Sequence, residues 1–158
     1  MEKDDPAKRR KLAGAIEMYE HVKYEVLEIK TVASGESGSL SFVESDHDIP
    51  FEIKRIYYTY EVPVGFRRGK HAHRQLDQLL FCPNGCIEVY LDDGSKQTSV
   101  MLDSPSKGLL LHSMIWREMV WRKENSLLVV AASDFYDESD YIRDYDDFML
   151  AVETQGAR

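Results

Sequence analysis

The sequence predicts an all-β domain, a sandwich or barrel of antiparallel strands. Three observations carry that expectation. Short runs rich in Val, Ile, Leu, Tyr and Phe recur from Tyr24 onward, turn residues separate nearly all of them, and nothing between them resembles a crossover helix. Parallel strands need such crossovers, which argues against a parallel α/β sheet.

Taken in chain order, the first runs are Tyr24 to Ile29 (YEVLEI) and Ser39 to Glu44 (SLSFVE), with the glycine turn Gly35 to Ser39 leading into the second. Asp46 to Pro50 breaks the chain before the long run Phe51 to Val62 (FEIKRIYYTYEV). Gln78 to Cys82 (QLLFC) and Cys86 to Leu91 (CIEVYL) flank Pro83-Asn84-Gly85, which suits a hairpin. Asp92-Asp93-Gly94 precedes Thr98 to Leu102, Asp103 to Lys107 precedes Gly108 to His112, and Ser126 to Ala132 is the last run. Within CIEVYL, Ile87, Val89 and Leu91 fall on one face and Glu88 and Tyr90 on the other, as in a sheet with one side on a core.

At 158 residues and 18.3 kDa, 43% hydrophobic, the chain has enough apolar material for one core. Its net charge of −8 and pI near 5.1 argue against a nucleic-acid coat or a polybasic membrane binder, so an anionic ligand has to meet a local basic cluster. No run approaches the ~20 apolar residues of a spanning helix, and the start MEKDDPAKRRK lacks the apolar core of a signal peptide, so a cytoplasmic location is expected. Cys82 and Cys86 are too few for a disulfide framework and are expected as buried free thiols. Three segments are expected: a charged extension over 1–22 with one short helix near Leu12 to Tyr19, a β domain over 23–150, and a tail over 151–158. The acidic stretch Asp134 to Phe148 reads as a solvated arm laying its aromatics on the sheet.

Chemistry concentrates in Gly65 to Gly85. Residues two apart in a strand share a face with Cα atoms ~6.6 Å apart, so His71 and His73 would present two imidazoles together. The pattern Gly65-x5-His71-x-His73-x4-Gln78-x6-Gly85 resembles the first motif of the cupin superfamily, with Gln78 where metal-binding members carry glutamate. The resemblance implies a cupin fold, a double-stranded β-helix or jelly-roll barrel with its site in the mouth. In the second motif region, Met114, Trp116 and Met119 stand in place of the proline, glycine and histidine. Two histidines and an amide are a poor ligand set for zinc or iron(II), so no metal is expected. Unligated imidazoles titrate near neutrality and can take and return a proton.

Across Tyr24 to Phe148 the chain resembles the dTDP-sugar 3,4-ketoisomerases of the WxcM-like cupins, through PFEIKRIYY, RGKHAHRQLDQLLFC, the Asp92-Asp93-Gly94 turn, LDSPSKGLLLHSMIWREM and DESDYIRDYDDF. The resemblance implies an isomerase without cofactor. It would move the keto group of dTDP-4-keto-6-deoxyglucose from C4 to C3 through an enediol(ate), with His71 and His73 as proton shuttle and Tyr57 and Arg117 as donors to the sugar oxygens. Arg68 and Arg74, beside the histidines, suit the diphosphate, while Gln78 and Ser37 complete the expected substrate contacts. The family branch with arginine at Arg117 leaves C4 in the gluco configuration, although Ser37 fits neither branch's pattern at the glycine turn. Family products commonly pass to a PLP-dependent aminotransferase in deoxyamino-sugar biosynthesis for bacterial surface polysaccharides, and members are typically homodimers with exchanged N-terminal strands. The rival readings are a non-catalytic sugar-nucleotide-binding cupin, a metal-dependent cupin enzyme using His71, His73 and a further ligand, and a sugar epimerase using the same base logic at C3 and C5.

Overall fold

The computed structural model describes residues 24–156. The expected N-terminal extension and its short helix lie outside them. Twelve strands, one α-helix and two short 3-10 helices (Gly35–Ser37 and Glu138–Asp140) make up the described fold, the strands and the α-helix being β1 (Tyr24–Glu28), β2 (Lys30–Ala33), β3 (Ser39–Phe42), β4 (Arg55–Thr59), β5 (Arg67–His73), β6 (Gln78–Asn84), β7 (Ile87–Asp92), β8 (Gln97–Leu102), β9 (Lys107–Leu111), β10 (Trp116–Trp121), β11 (Leu127–Ala132), β12 (Tyr141–Ile142) and α1 (Tyr145–Gly156). One five-stranded sheet has the order β1-β9-β6-β11-β4 and the other β12-β5-β10-β7-β8, and all their pairings are antiparallel. This is the jelly-roll architecture the cupin resemblance implies.

Alternation decides what lies between the sheets. Leu80 and Cys82 of β6, Leu109 and Leu111 of β9, and Leu128 and Val130 of β11 meet Ile87, Val89 and Leu91 of β7 and Trp121 of β10, all buried. Leu79, Leu110 and Ala131, on the opposite face of the first sheet, are covered by Ile49 and Phe51, so most of the run Phe51 to Val62 serves as a lid segment and β4.

The acidic tail departs from the solvated arm expected. Its residues 141–142 pair with β5, and α1 packs Phe148, fully buried, against Ala72, Trp116 and Ile142 on the outer face of the second sheet. The carboxylates hid this helix, because Asp144 caps its first turn by accepting from the Asp146 and Asp147 amides while only a narrow stripe is apolar. α1 also runs through residue 150, so no break in secondary structure marks the boundary expected there.

Two strands that carry the site, β5 and β10, were not among the hydrophobic runs, since RRGKHAH and WREMVW place charge on both faces. β5 carries a bulge. Arg117 pairs with His71 and Glu118 with Gly69, leaving Lys70 as the extra residue, and Gly69 and Lys70 both take positive φ, 92° and 58°. A Cβ on Gly69 would lie 2.8 Å from the Arg117 carbonyl oxygen, so only glycine fits. The bulge brings both histidines onto the interior face opposite Arg117.

A geometric centre with two imidazoles and a bare guanidinium

At one end of the barrel, β4, β5, β6 and β10 converge with the turn before β12. His73 is fully buried and its ring stands edge-on to His71, with centroids 5.0 Å apart. Tyr141 closes the other side, its ring centroid 5.1 Å from His71 and 4.3 Å from His73. The His73 Nδ1 lies 2.9 Å from the Asp140 carboxylate, whereas its Nε2 is buried without a partner among the described residues. Burial, reinforced by the Arg117 charge, pushes His71 down to about 4 and holds His73 well below the usual histidine range. Both imidazoles are therefore neutral at pH 7 and able to accept a proton.

Arg117 is 1% exposed, and its Nε, Nη1 and Nη2 all lack hydrogen-bond partners among the described residues. Burial lowers it to about 10, which still leaves the guanidinium charged at neutral pH. A buried cation with three idle donor atoms is costly unless a ligand supplies the acceptors. Tyr57 lies nearby on β4 and its hydroxyl accepts a 2.8 Å bond from the Gln78 amide. That leaves the phenolic hydrogen available to an acceptor in the cavity. Burial raises the Tyr57 phenol and the Arg117 charge opposes the rise, so Tyr57 is a donor at neutral pH.

The structure thus brings together His71, His73, Tyr57, Arg117 and Gln78. It does not bring in every residue expected. Arg74 lies just past the end of β5 and lines a cleft with Asp147, Leu150 and Thr154 of α1, so the structure does not bring it into the group around the imidazoles where the diphosphate role was expected of it. Ser37 belongs to the β2–β3 hairpin, every strand residue of which is exposed, and its hydroxyl bonds the Ser34 carbonyl; it is no part of the cavity within one chain. Arg68 is exposed and shares the sheet face of its cross-strand partner Met119, the interior face.

Four further residues surround the centre. Asp140 and Tyr141 come from the acidic tail; Arg143 stacks 4.2 Å over Tyr141 while held bidentately by Glu138. Arg55 lies over the Tyr57 and Tyr136 rings with its Nε buried and unpartnered. Aromatics interleaved with the tail's carboxylates were the available signal for the first pair. Arg55 is two residues before Tyr57 in β4, and that shared strand face was the signal for it. Among the described residues, no cluster of three or more His, Cys, Asp or Glu side chains is placed to hold a metal ion, and Met119 packs against the apolar core. Cys82 and Cys86 are buried free thiols, and burial pushes Cys82 up to about 11.

The family model described as FdtA: WxcM-like, C-terminal, matches residues 22–153. A TDP-4-oxo-6-deoxy-alpha-D-glucose-3,4-oxoisomerase from Aneurinibacillus thermoaerophilus is 46% identical over 111 residues, which are 70% of this chain and 80% of that protein. The crystal structure of a sugar 3,4-ketoisomerase from Thermoanaerobacterium thermosaccharolyticum in complex with TDP superposes with a TM-score of 0.82 at 36% identity, covering 85% of this chain and 98% of that one. A histidine-to-asparagine variant of that protein is in complex with TDP-4-keto-6-deoxyglucose. A 3,4-ketoisomerase from Helicobacter canadensis superposes with a TM-score of 0.80 at 43% identity, over 84% of this chain and 99% of that one.

Proposed function

The chain belongs to the FdtA family, WxcM-like, C-terminal, and on that premise we propose that it is a sugar-nucleotide 3,4-ketoisomerase acting on dTDP-4-keto-6-deoxyglucose. The observation that carries the reading is the bare Arg117 guanidinium beside two neutral imidazoles. A ketone at C4 acidifies the C3 hydrogen. An imidazole removes that proton, the C–H electron pair becomes the enediolate double bond, and the carbonyl electrons move onto oxygen. Arg117 and Tyr57 meet the oxygen as it gains charge, in a buried site where fixed donors act strongly. The C3 hydroxyl proton then passes to the C4 oxygen and the proton taken from C3 is returned to C4, which places the ketone at C3 and a hydroxyl at C4. The proton balance closes within the pair His71 and His73.

Arg68, at the exposed end of β5, takes the diphosphate. The β2–β3 hairpin, with Val32, Leu40 and Phe42 exposed at 53%, 59% and 38%, has too little core to stand alone and docks on a second copy in an exchanged homodimer. That arrangement brings Ser37 toward the partner's substrate. We place the enzyme in the cytoplasm, upstream of an aminotransferase in deoxyamino-sugar synthesis; among the described residues no helix is long and apolar enough to cross a membrane.

Proton NMR of dTDP-4-keto-6-deoxyglucose incubated with the protein in deuterium oxide, with and without chelator, tests the reading. The expected result is a 3-keto sugar carrying deuterium at C4, unchanged by chelator, with the H4 coupling of the gluco configuration. Unaltered substrate despite nucleotide binding would leave a binding module, and deuterium at C5 with the ketone still at C4 would mean an epimerase.

A further inference from the structure

We infer that Asp140 is a positioning residue that fixes the tautomer of His73, so that His73 meets the substrate with a bare Nε2. The inference rests on the ketoisomerase reading and adds a residue to it. Asp140 ends a one-turn 3-10 helix over Glu138–Asp140, directly before the residue that pairs with His73 across the β5–β12 ladder. Its backbone is held at both ends, its carbonyl accepting the Arg74 amide at 2.9 Å and its own amide donating to Asp137 at 3.2 Å.

The side chain is equally constrained. Oδ1 accepts the Gln75 backbone amide at 2.8 Å, which leaves Oδ2 to face His73 Nδ1 at 2.9 Å. A carboxylate offers no hydrogen, so the hydrogen of this contact sits on Nδ1. A neutral imidazole protonated at Nδ1 carries its lone pair on Nε2, and that atom is buried and has no partner among the described residues. The acid-rich tail, through one carboxylate, therefore makes His73 a proton acceptor aimed into the cavity and stabilises the imidazolium formed when the proton arrives.

The same geometry specifies the test. In Asp140→Asn the Gln75 amide still requires an oxygen, so the new NH2 group is turned toward His73 Nδ1 and donates to it. His73 must then carry its hydrogen on Nε2. The 15N shifts of His73 report which ring nitrogen is protonated. We expect Nδ1–H in the wild type and Nε2–H in Asp140→Asn, with TDP affinity within about threefold of wild type and kcat lower by on the order of a hundredfold or more. Asp140→Glu, which restores a carboxylate acceptor, should recover part of the lost kcat. A wild-type His73 protonated at Nε2 overturns the inference even if the variants fail to fold. So does an Asp140→Asn protein that keeps its tautomer or turns over at the wild-type rate. Failure of the wild type to isomerise the sugar, with His73 nonetheless protonated at Nδ1, would overturn the proposed function and leave the tautomer assignment standing.

Discussion

Replacing Arg117 by methionine should make the ligand-free protein more stable while stopping its chemistry. The guanidinium is brought to about 10 by burial, yet at pH 7 it is charged in both folded and unfolded chains, so the folded state bears the whole penalty. Each tenfold weakening of its hold on the proton is about 1.4 kcal/mol, which sets the penalty at about 3 kcal/mol. Among the described residues no hydrogen bond offsets it, because all three nitrogens are without a partner. Methionine keeps much of the volume without the charge, in line with the gain of about 1–4 kcal/mol often seen when buried ionic groups are replaced by apolar side chains of similar volume. For a chain of this length the gain corresponds to a rise in Tm of roughly 6 to 12 °C. Thermal unfolding without nucleotide measures the stability, and the NMR assay measures the turnover, expected to fall by on the order of a hundredfold or more through loss of an oxyanion donor. An Arg117→Met protein that melts at or below the wild-type temperature would refute the claim that the cation is held uncompensated. Turnover within tenfold of wild type would refute its role at the oxyanion.

Four other expectations follow from the structure. His71→Asn should abolish isomerisation while leaving dTDP affinity within about tenfold, about 1.4 kcal/mol, and a variant with full turnover excludes His71 from proton transfer. Because folded His71 stays neutral down to about 4 while an unfolded histidine takes its proton near ~6.5, wild-type stability falls as pH drops between those values; urea titrations should show that slope reduced in His71→Asn by up to about 1.4 kcal/mol per pH unit. Gly69→Ala forces a side chain into positive φ and against the Arg117 carbonyl oxygen, costing about 2 kcal/mol or more, and an unchanged urea midpoint would show that the bulge tolerates a Cβ. Val32→Lys with Leu40→Lys should convert a dimer to a monomer in light scattering, since each apolar side chain buried at the interface contributes about 1.5–3 kcal/mol; a wild-type monomer would remove the exchanged arm from the scheme.

Strand positions with a period of two were legible wherever one face is apolar, as in β7, where Ile87, Val89 and Leu91 went inside as the alternation required. The histidine pair was legible for a related reason: a strand sends residues two apart to one face whatever the fold around them. His71 and His73 could be named from the strand period, and Tyr57, Gln78 and Arg117 through the family resemblance. Their convergence could not, because it depends on which strands become neighbours, and the bulge at Gly69 and Lys70 sets the register between β5 and β10. The placement of Arg74 was not legible, because it lies past the end of β5 and the α1 surface it meets comes from a tail whose helix is masked by carboxylates. Long-range placement also decided the titration of the site. An isolated His-x-His pair is two ordinary imidazoles, and only enclosure beside a buried Arg117 makes both neutral bases, while Asp140, 67 residues away along the chain, settles which nitrogen of His73 is bare. Local sequence determines faces and turns because their energies are local. Burial, charge neighbours and tautomers are properties of a packed interior, and they exist only once the two sheets have closed.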